Sequence, residues 1–146
     1  MFQRKDYRHG LGSRNPGIAQ RAIGKAAALA LVWIGTERAL TALFDYVDQN
    51  PTGRNVSDVC SELWKLDVPG AAHLDGILSR ALSGEPAPNR ILATARMARS
   101  PSKHVPLTIA ELARVRIFCG EATFDYYGSQ KPIAGVVDEV LKWAKR

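Results

Sequence analysis

Cysteine, histidine and long apolar runs are all scarce in this chain, and each scarcity removes a class of function. Two cysteines in 146 residues, Cys60 and Cys119, stand far apart, each inside a helical pattern. They build no disulfide framework and read as reduced thiols of a cytoplasmic protein. The three histidines, His9, His73 and His104, are scattered, and neither cysteine has a second ligand at metal-binding spacing. No metal site is therefore expected. Gly10-Leu11-Gly12 supplies two glycines and no phosphate-loop fingerprint, so no nucleotide cofactor is expected either. The densest apolar stretch, Ala26 to Ile34, falls far below the ~20 residues of a membrane span. Lys25, Glu37 and Arg38 flank it. The first residues, Met1 to Asp6, are polar and lead into no apolar segment of the signal-peptide kind. A cytoplasmic protein without a membrane partner is the expectation.

Acidic residues are missing from two particular regions. Residues 1–25 carry six Lys/Arg against one acid, and residues 88–118 again carry six against one. Between them, residues 26–87 carry four Lys/Arg against eight acids, while residues 119–146 balance at four and four. The net charge of +6 is thus gathered into two blocks. Segregated positive charge is the electrostatic footprint of a protein that meets phosphates or another polyanion. The plain alternative is a solvated basic tail without a partner.

What the chain has in abundance is helical periodicity. Asn15-Pro16 is a fitting helix start and Asn50-Pro51 a fitting stop. Between them Ala22, Ala26, Leu29, Trp33, Leu40, Phe44 and Val47 recur at helical steps, with Ala27, Leu31 and Ile34 on the opposite side. This pattern predicts a long central helix over about 16–49, apolar all round and buried on several sides, with Trp33 in the core. Gly35-Thr36 is the place where it would divide.

Further helices follow. One is capped near Asn55, with Val56, Val59, Cys60 and Leu63 inward. Another runs from Ala71 to about Leu82, and a third from Asn89 to Arg99. Thr108 and Glu111 form a capping box, stapled by Leu107 and Leu112, that predicts a helix beginning at Ile109. Glu121 to Tyr127 reads as a short aromatic helix, and Pro132 opens the last one. His73-Leu74-Asp75 reads as a solvated helix edge. No internal repeat and no convincing strand is found. The fold class is all-α: a single-domain helical bundle of six to eight helices over 16–146, preceded by a basic N-terminal arm, 1–15.

The candidate binding residues come from the two basic blocks. Arg4, Lys5, Arg8 and Arg14 are interleaved with Phe2, Tyr7 and His9 in the arm, and Arg90, Arg96, Arg99 and Lys103 follow the linker at 85–88. Cations track a phosphate backbone, and aromatic faces stack on unpaired bases. Phosphate contacts position a protein without reading sequence. The expected function is a non-enzymatic protein that binds the backbone of RNA or DNA, as an accessory subunit beside other proteins of one complex. In size and sign it resembles the small helical subunits of RNA-guided effector complexes, with no motif matched to them.

Two alternatives belong to other classes. The helix order up to Leu82 resembles the three-helix core of winged-helix regulators, and Thr108 to Tyr127 is a second helix-turn-helix candidate. Trp64 and Ile117 stand where the turn glycine of that motif is expected. The other alternative is a protein-interaction module that meets an acidic surface. Cys119 near a helix start, with His104 as a base, would make a nucleophile, but nothing in the sequence brings the two together, and Cys119 reads as a buried, idle thiol.

Overall fold

Residues 16–49 form two helices, because Gly35 stands at φ +66°, a left-handed conformation that ends a helix at little cost to glycine alone. Helix α1 spans Pro16–Ile34 and α2 spans Glu37–Gln49. Gly35 donates its N–H to Leu31 O, and Thr36 caps α2 by accepting from Ala39 N at 3.3 Å. The computed structural model describes residues 16–65, 71–99 and 105–146. Arg4, Lys5, Arg8, Arg14, Lys103 and His104 therefore lie outside the described residues.

After α2 come α3 (Arg54–Lys65), α4 (Ala71–Ala81), α5 (Pro88–Arg99), α6 (Pro106–Val115) and a 3₁₀ turn (Arg116–Cys119). A hairpin follows, β1 (Thr123–Tyr126) and β2 (Ser129–Pro132), and α7 (Ile133–Ala144) closes the chain. The expected all-α bundle is found. Its centre is not the expected one. The break at Gly35 resets the helical phase, so a stripe drawn through both helices misassigns α1. That helix buries Ala28 and Val32, and Trp33, one position on, is 68% exposed. Ala26, Ala27, Ala30 and Ile34 share its exposure.

The buried centre is α5. Ile91, Leu92, Ala93, Thr94, Ala95, Met97 and Ala98 are all inaccessible, and the helix touches α2, α3, α4, α6, α7 and the 3₁₀ turn. Ala93 and Met97 join a first core with Val32, Leu43, Phe44, Val59, Leu63 and Leu78. Ile91, Leu92, Ala95 and Ala98 join a second core with Leu112, Val115, Phe124, Ile133 and Val137. Alanine and threonine signal little hydrophobicity, yet their small side chains let neighbouring helices close on every side at interior packing density. Thr94 stays buried because its hydroxyl donates to Arg90 O at 2.9 Å.

Helix α6 begins earlier than expected, at Pro106, and its cap is supplied by another helix. Asp75 of α4 is 6% exposed and accepts from Thr108 N at 2.8 Å and Leu107 N at 3.3 Å. The Thr108 hydroxyl lies 2.7 Å from Asp75 Oδ1 and 3.1 Å from its carbonyl oxygen. Thr108 is thus a donor inside the first turn rather than the N-cap. Asp75 is a buried keystone rather than part of a solvated edge. At the far end Arg114 donates to the carbonyls of Leu82 and Gly84, just beyond α4. Helices α4 and α6 therefore run in the same direction. Their dipoles would oppose this, and a carboxylate at one end with a guanidinium at the other compensates.

Residues 121–127 do not form a helix. Thr123, Phe124 and Tyr126 suit a pleated strand, and β1 pairs with β2 with Phe124 opposite Lys131. Tyr127 (φ 51°) and Gly128 (φ 83°) make the two-residue turn in which both central residues are left-handed. The Thr108–Tyr127 candidate for a helix-turn-helix is overturned, since its second helix is a strand and a turn. In the first candidate, α3 rests on α1 and α5, whereas α4 rests on α2, α5 and α6.

Two stability measurements in denaturant test this architecture. Trp33→Ala should change stability by no more than about 0.5 kcal/mol, as for exposed positions, whereas Leu92→Ala should cost about 2–5 kcal/mol. Asp75→Ala should cost about 2–4 kcal/mol, since it takes the acceptor from the Leu107 and Thr108 N–H groups and leaves the buried Thr108 hydroxyl only the backbone carbonyl of residue 75. Thr108→Val should cost less, about 1 kcal/mol. Equal losses at the two positions would mean that α6 caps itself.

Candidate functional site

Helix α3 is two-faced. Val56, Val59 and Leu63 point into the first core, and Arg54, Ser57, Ser61 and Trp64, spaced three, four and three apart, point away from it. That outer face lines a cleft of about 860 Å³. Helix α5 contributes Arg96 and Arg99, the hairpin contributes Phe124, Asp125, Tyr126, Tyr127 and Lys131, and α7 contributes Val136 and Glu139. Thr52 and Gly53 complete the end nearest Arg54.

Arg96 is the central charge of the cleft. It is half-buried, and burial pushes its guanidinium below the ordinary arginine value, with Cys60, Tyr126 and Tyr127 near enough to act in the opposite direction. Its Cζ lies 5.2 Å from the Phe124 ring centroid, in cation–π range. Lys131 Nζ lies 4.2 Å from the Tyr126 ring centroid, and Tyr127 meets Tyr126 edge-on at 4.8 Å. Among the described residues, Arg54, Arg96 and Lys131 have no carboxylate partner.

The other described cations of the second basic block are paired. Arg90 bonds Asp48 at 3.0 Å and stands outside the cleft; Arg99 meets Glu139 at 3.0 Å within it. Arg114 binds Glu111, and Arg116 makes a two-pronged bond to Asp138 at 2.8 and 2.9 Å. That bond holds the Asp138 carboxyl below its usual range and raises Arg116. Of the expected binding residues, then, the fold brings Arg96 and Arg99 together and sends Arg90 elsewhere.

Sequence reasoning passed over Arg54, Lys131, Trp64, Tyr126 and Tyr127. Two signals pointed to them. The outer face of α3 ends in a tryptophan instead of a polar residue. The aromatic run at 124–127 precedes Lys131 by one tight turn.

The cleft has no cluster to hold a metal: among the described residues no three His, Cys, Asp or Glu side chains gather at one place. No helix there is long and apolar enough to cross a membrane. Cys119 is buried in the second core, and burial pushes its thiol up, away from the reactive thiolate. Cys60 is half-buried and lines the cleft. A thiol reagent applied to the folded protein should therefore label Cys60 and spare Cys119 until denaturant is added. Labelling of both at equal rates, read by mass spectrometry, would contradict this packing.

No protein-family model matches this chain, and neither a curated protein nor a solved structure matches it.

Proposed function

We propose that this chain is a non-enzymatic nucleic-acid-binding protein, an accessory subunit of a nucleoprotein complex, and that it holds the phosphate backbone in the cleft around Arg96. The carrying observation is that Arg96 is half-buried without a carboxylate partner among the described residues. A desolvated cation is costly unless an anion faces it, and a charge-assisted bond to phosphate offsets that cost. Arg54 and Lys131 add two more unpaired cations to the same space. The Arg99–Glu139 pair is exposed and worth only ~0–1 kcal/mol, so a phosphate can take the place of its carboxylate. The converging groups are cations, rings and hydroxyls, with two carboxylates beside them, Asp125 and the Arg99-paired Glu139, and the cations and rings suit binding a strand without reading base edges.

A second observation supports the place beside other proteins. The outer side of α1 leaves Ala26, Ala27, Ala30, Trp33 and Ile34 exposed together. A contiguous apolar patch is the ordinary mark of a protein neighbour.

Titration of labelled DNA and RNA at several salt concentrations tests the reading. Arg96→Gln should weaken binding to all sequences alike. It should also flatten the salt dependence by about 0.7 on single strands or 0.9 on duplex. Arg90→Gln should leave the affinity unchanged. Thermal unfolding of both variants controls for folding. Loss of discrimination at particular bases would point to a sequence-reading regulator, and absence of any affinity at low salt would overturn the proposal.

A further inference from the structure

Among the described residues seven large apolar side chains are exposed; Trp64 (52%), Tyr126 (42%) and Tyr127 (70%) line the cleft that holds Arg96, and Trp33, Ile34, Leu107 and Ile117 lie outside it. The three that line it stand on different elements, Trp64 at the end of α3, where its ring meets Trp143 of α7 at 4.9 Å and leaves half its surface open, and the tyrosines at the hairpin tip.

Tyr127 is a special case. Its φ of 51° is a conformation that asparagine or glycine adopts at lower cost, and it sits in a turn where those residues are preferred. The chain carries tyrosine there against backbone preference, and the ring it gains lines the cleft. Lys131 Nζ lies over one face of the Tyr126 ring, and with the edge-on Tyr127 contact it braces the tip, so a base stacked on Tyr126 takes the other face or displaces the ammonium.

Resting on the nucleic-acid reading, we infer that the cleft takes an unpaired stretch of strand, with bases stacked on Tyr126, Tyr127 and Trp64 and phosphates directed to Arg96 and Arg54. A duplex presents base edges in its grooves and keeps base faces inside its own stack. Exposed rings can therefore serve only bases that are free of a partner, and such stacking is indifferent to base identity. The dimensions agree. From Arg54 to Trp64 the α3 wall runs for about 15 Å at 1.5 Å per residue, which at about 3.4 Å per stacked nucleotide is room for roughly four. Ser57 and Ser61 lie between the cation and the ring on that wall, where the Ser57 hydroxyl can donate to a sugar or phosphate oxygen and the Ser61 hydroxyl, which donates to Ser57 O at 3.0 Å, can accept.

The test compares short oligothymidylate and oligouridylate single strands with a hairpin duplex of the same length, at low salt, on the full chain. Single strands should bind at least tenfold tighter than the duplex, and the ratio between the two single strands tells DNA from RNA. Trp64→Ala and Tyr126→Ala should each weaken single-strand binding roughly 5- to 100-fold, and Tyr126→Phe should restore it.

Tyr127→Asn removes a ring while favouring the turn. It should therefore hold or raise the midpoint of thermal unfolding and still weaken the single strand, which no loss of folding can imitate. Bound single strand should also shield Cys60 from alkylation. Equal affinity for duplex and single strand, unchanged by the aromatic variants, would overturn this inference and leave the nucleic-acid reading standing. Absence of binding to every nucleic acid would overturn both, and affinity for polyglutamate in that case would assign the cleft to an acidic protein segment.

Discussion

Everything in this fold is hung on a helix with almost no free side. Helix α5 is the wall between two cores, and its alanines let helices close on it from both directions. A wall packed on two faces leaves few exits for polar side chains. Those of α5 emerge where neighbouring helices part, and Arg96 emerges between α3 and the hairpin. The position of the cleft thus follows from the packing of the core. Its central charge is rooted in the least mobile kind of element, a buried helix, and that is how a binding group keeps its direction before a ligand arrives.

Charge is redistributed by the same packing. Ion pairs join segments far apart in the chain: Lys25 with Asp58, Arg80 with Glu37, Arg90 with Asp48, Arg99 with Glu139 and Arg116 with Asp138. Each is exposed and individually weak, but together they cancel much of the segregation seen along the chain. The unpaired cations of the cleft come from three different regions of the sequence: Arg54 from the acidic middle, Arg96 from the second basic block and Lys131 from the balanced end. A field over a surface depends on where charges lie in space and not on their order in the chain.

The binding reading and the single-strand reading draw on separate features of one place. Unpaired, partly desolvated cations argue for an anion of any kind. Exposed rings, one of them held at an unfavourable backbone angle, argue for flat partners beside that anion. Nucleic acid with free bases, the ligand proposed above, is a polyanion that offers both. The exposed apolar side of α1 lies on a different helix from those that line the cleft.

The sequence by itself determined the helical class, because periodic burial is a local property. The inward faces of α3, α4 and α7 follow from residues one or two turns apart: Val56, Val59 and Leu63; Leu74 and Leu78; Ile133, Val137 and Val140. Pro132 as the boundary of the last helix was legible for the same reason. Gly35-Thr36 carried the division of the first long stretch, though not its consequence for Trp33, since phase across a break depends on how two helices pack. Tertiary structure alone decided the rest. Asp75 caps a helix that begins thirty-one residues later, a partnership that no local spacing encodes. Residues 123–126 became a strand because Phe124 found a place in the second core and Tyr127-Gly128 could turn. Arg96 gained its standing from what surrounds it. Its neighbours Arg90 and Arg99 bear the same charge on the same helix, yet they found carboxylates on α2 and α7, while Arg96 faces rings and open space.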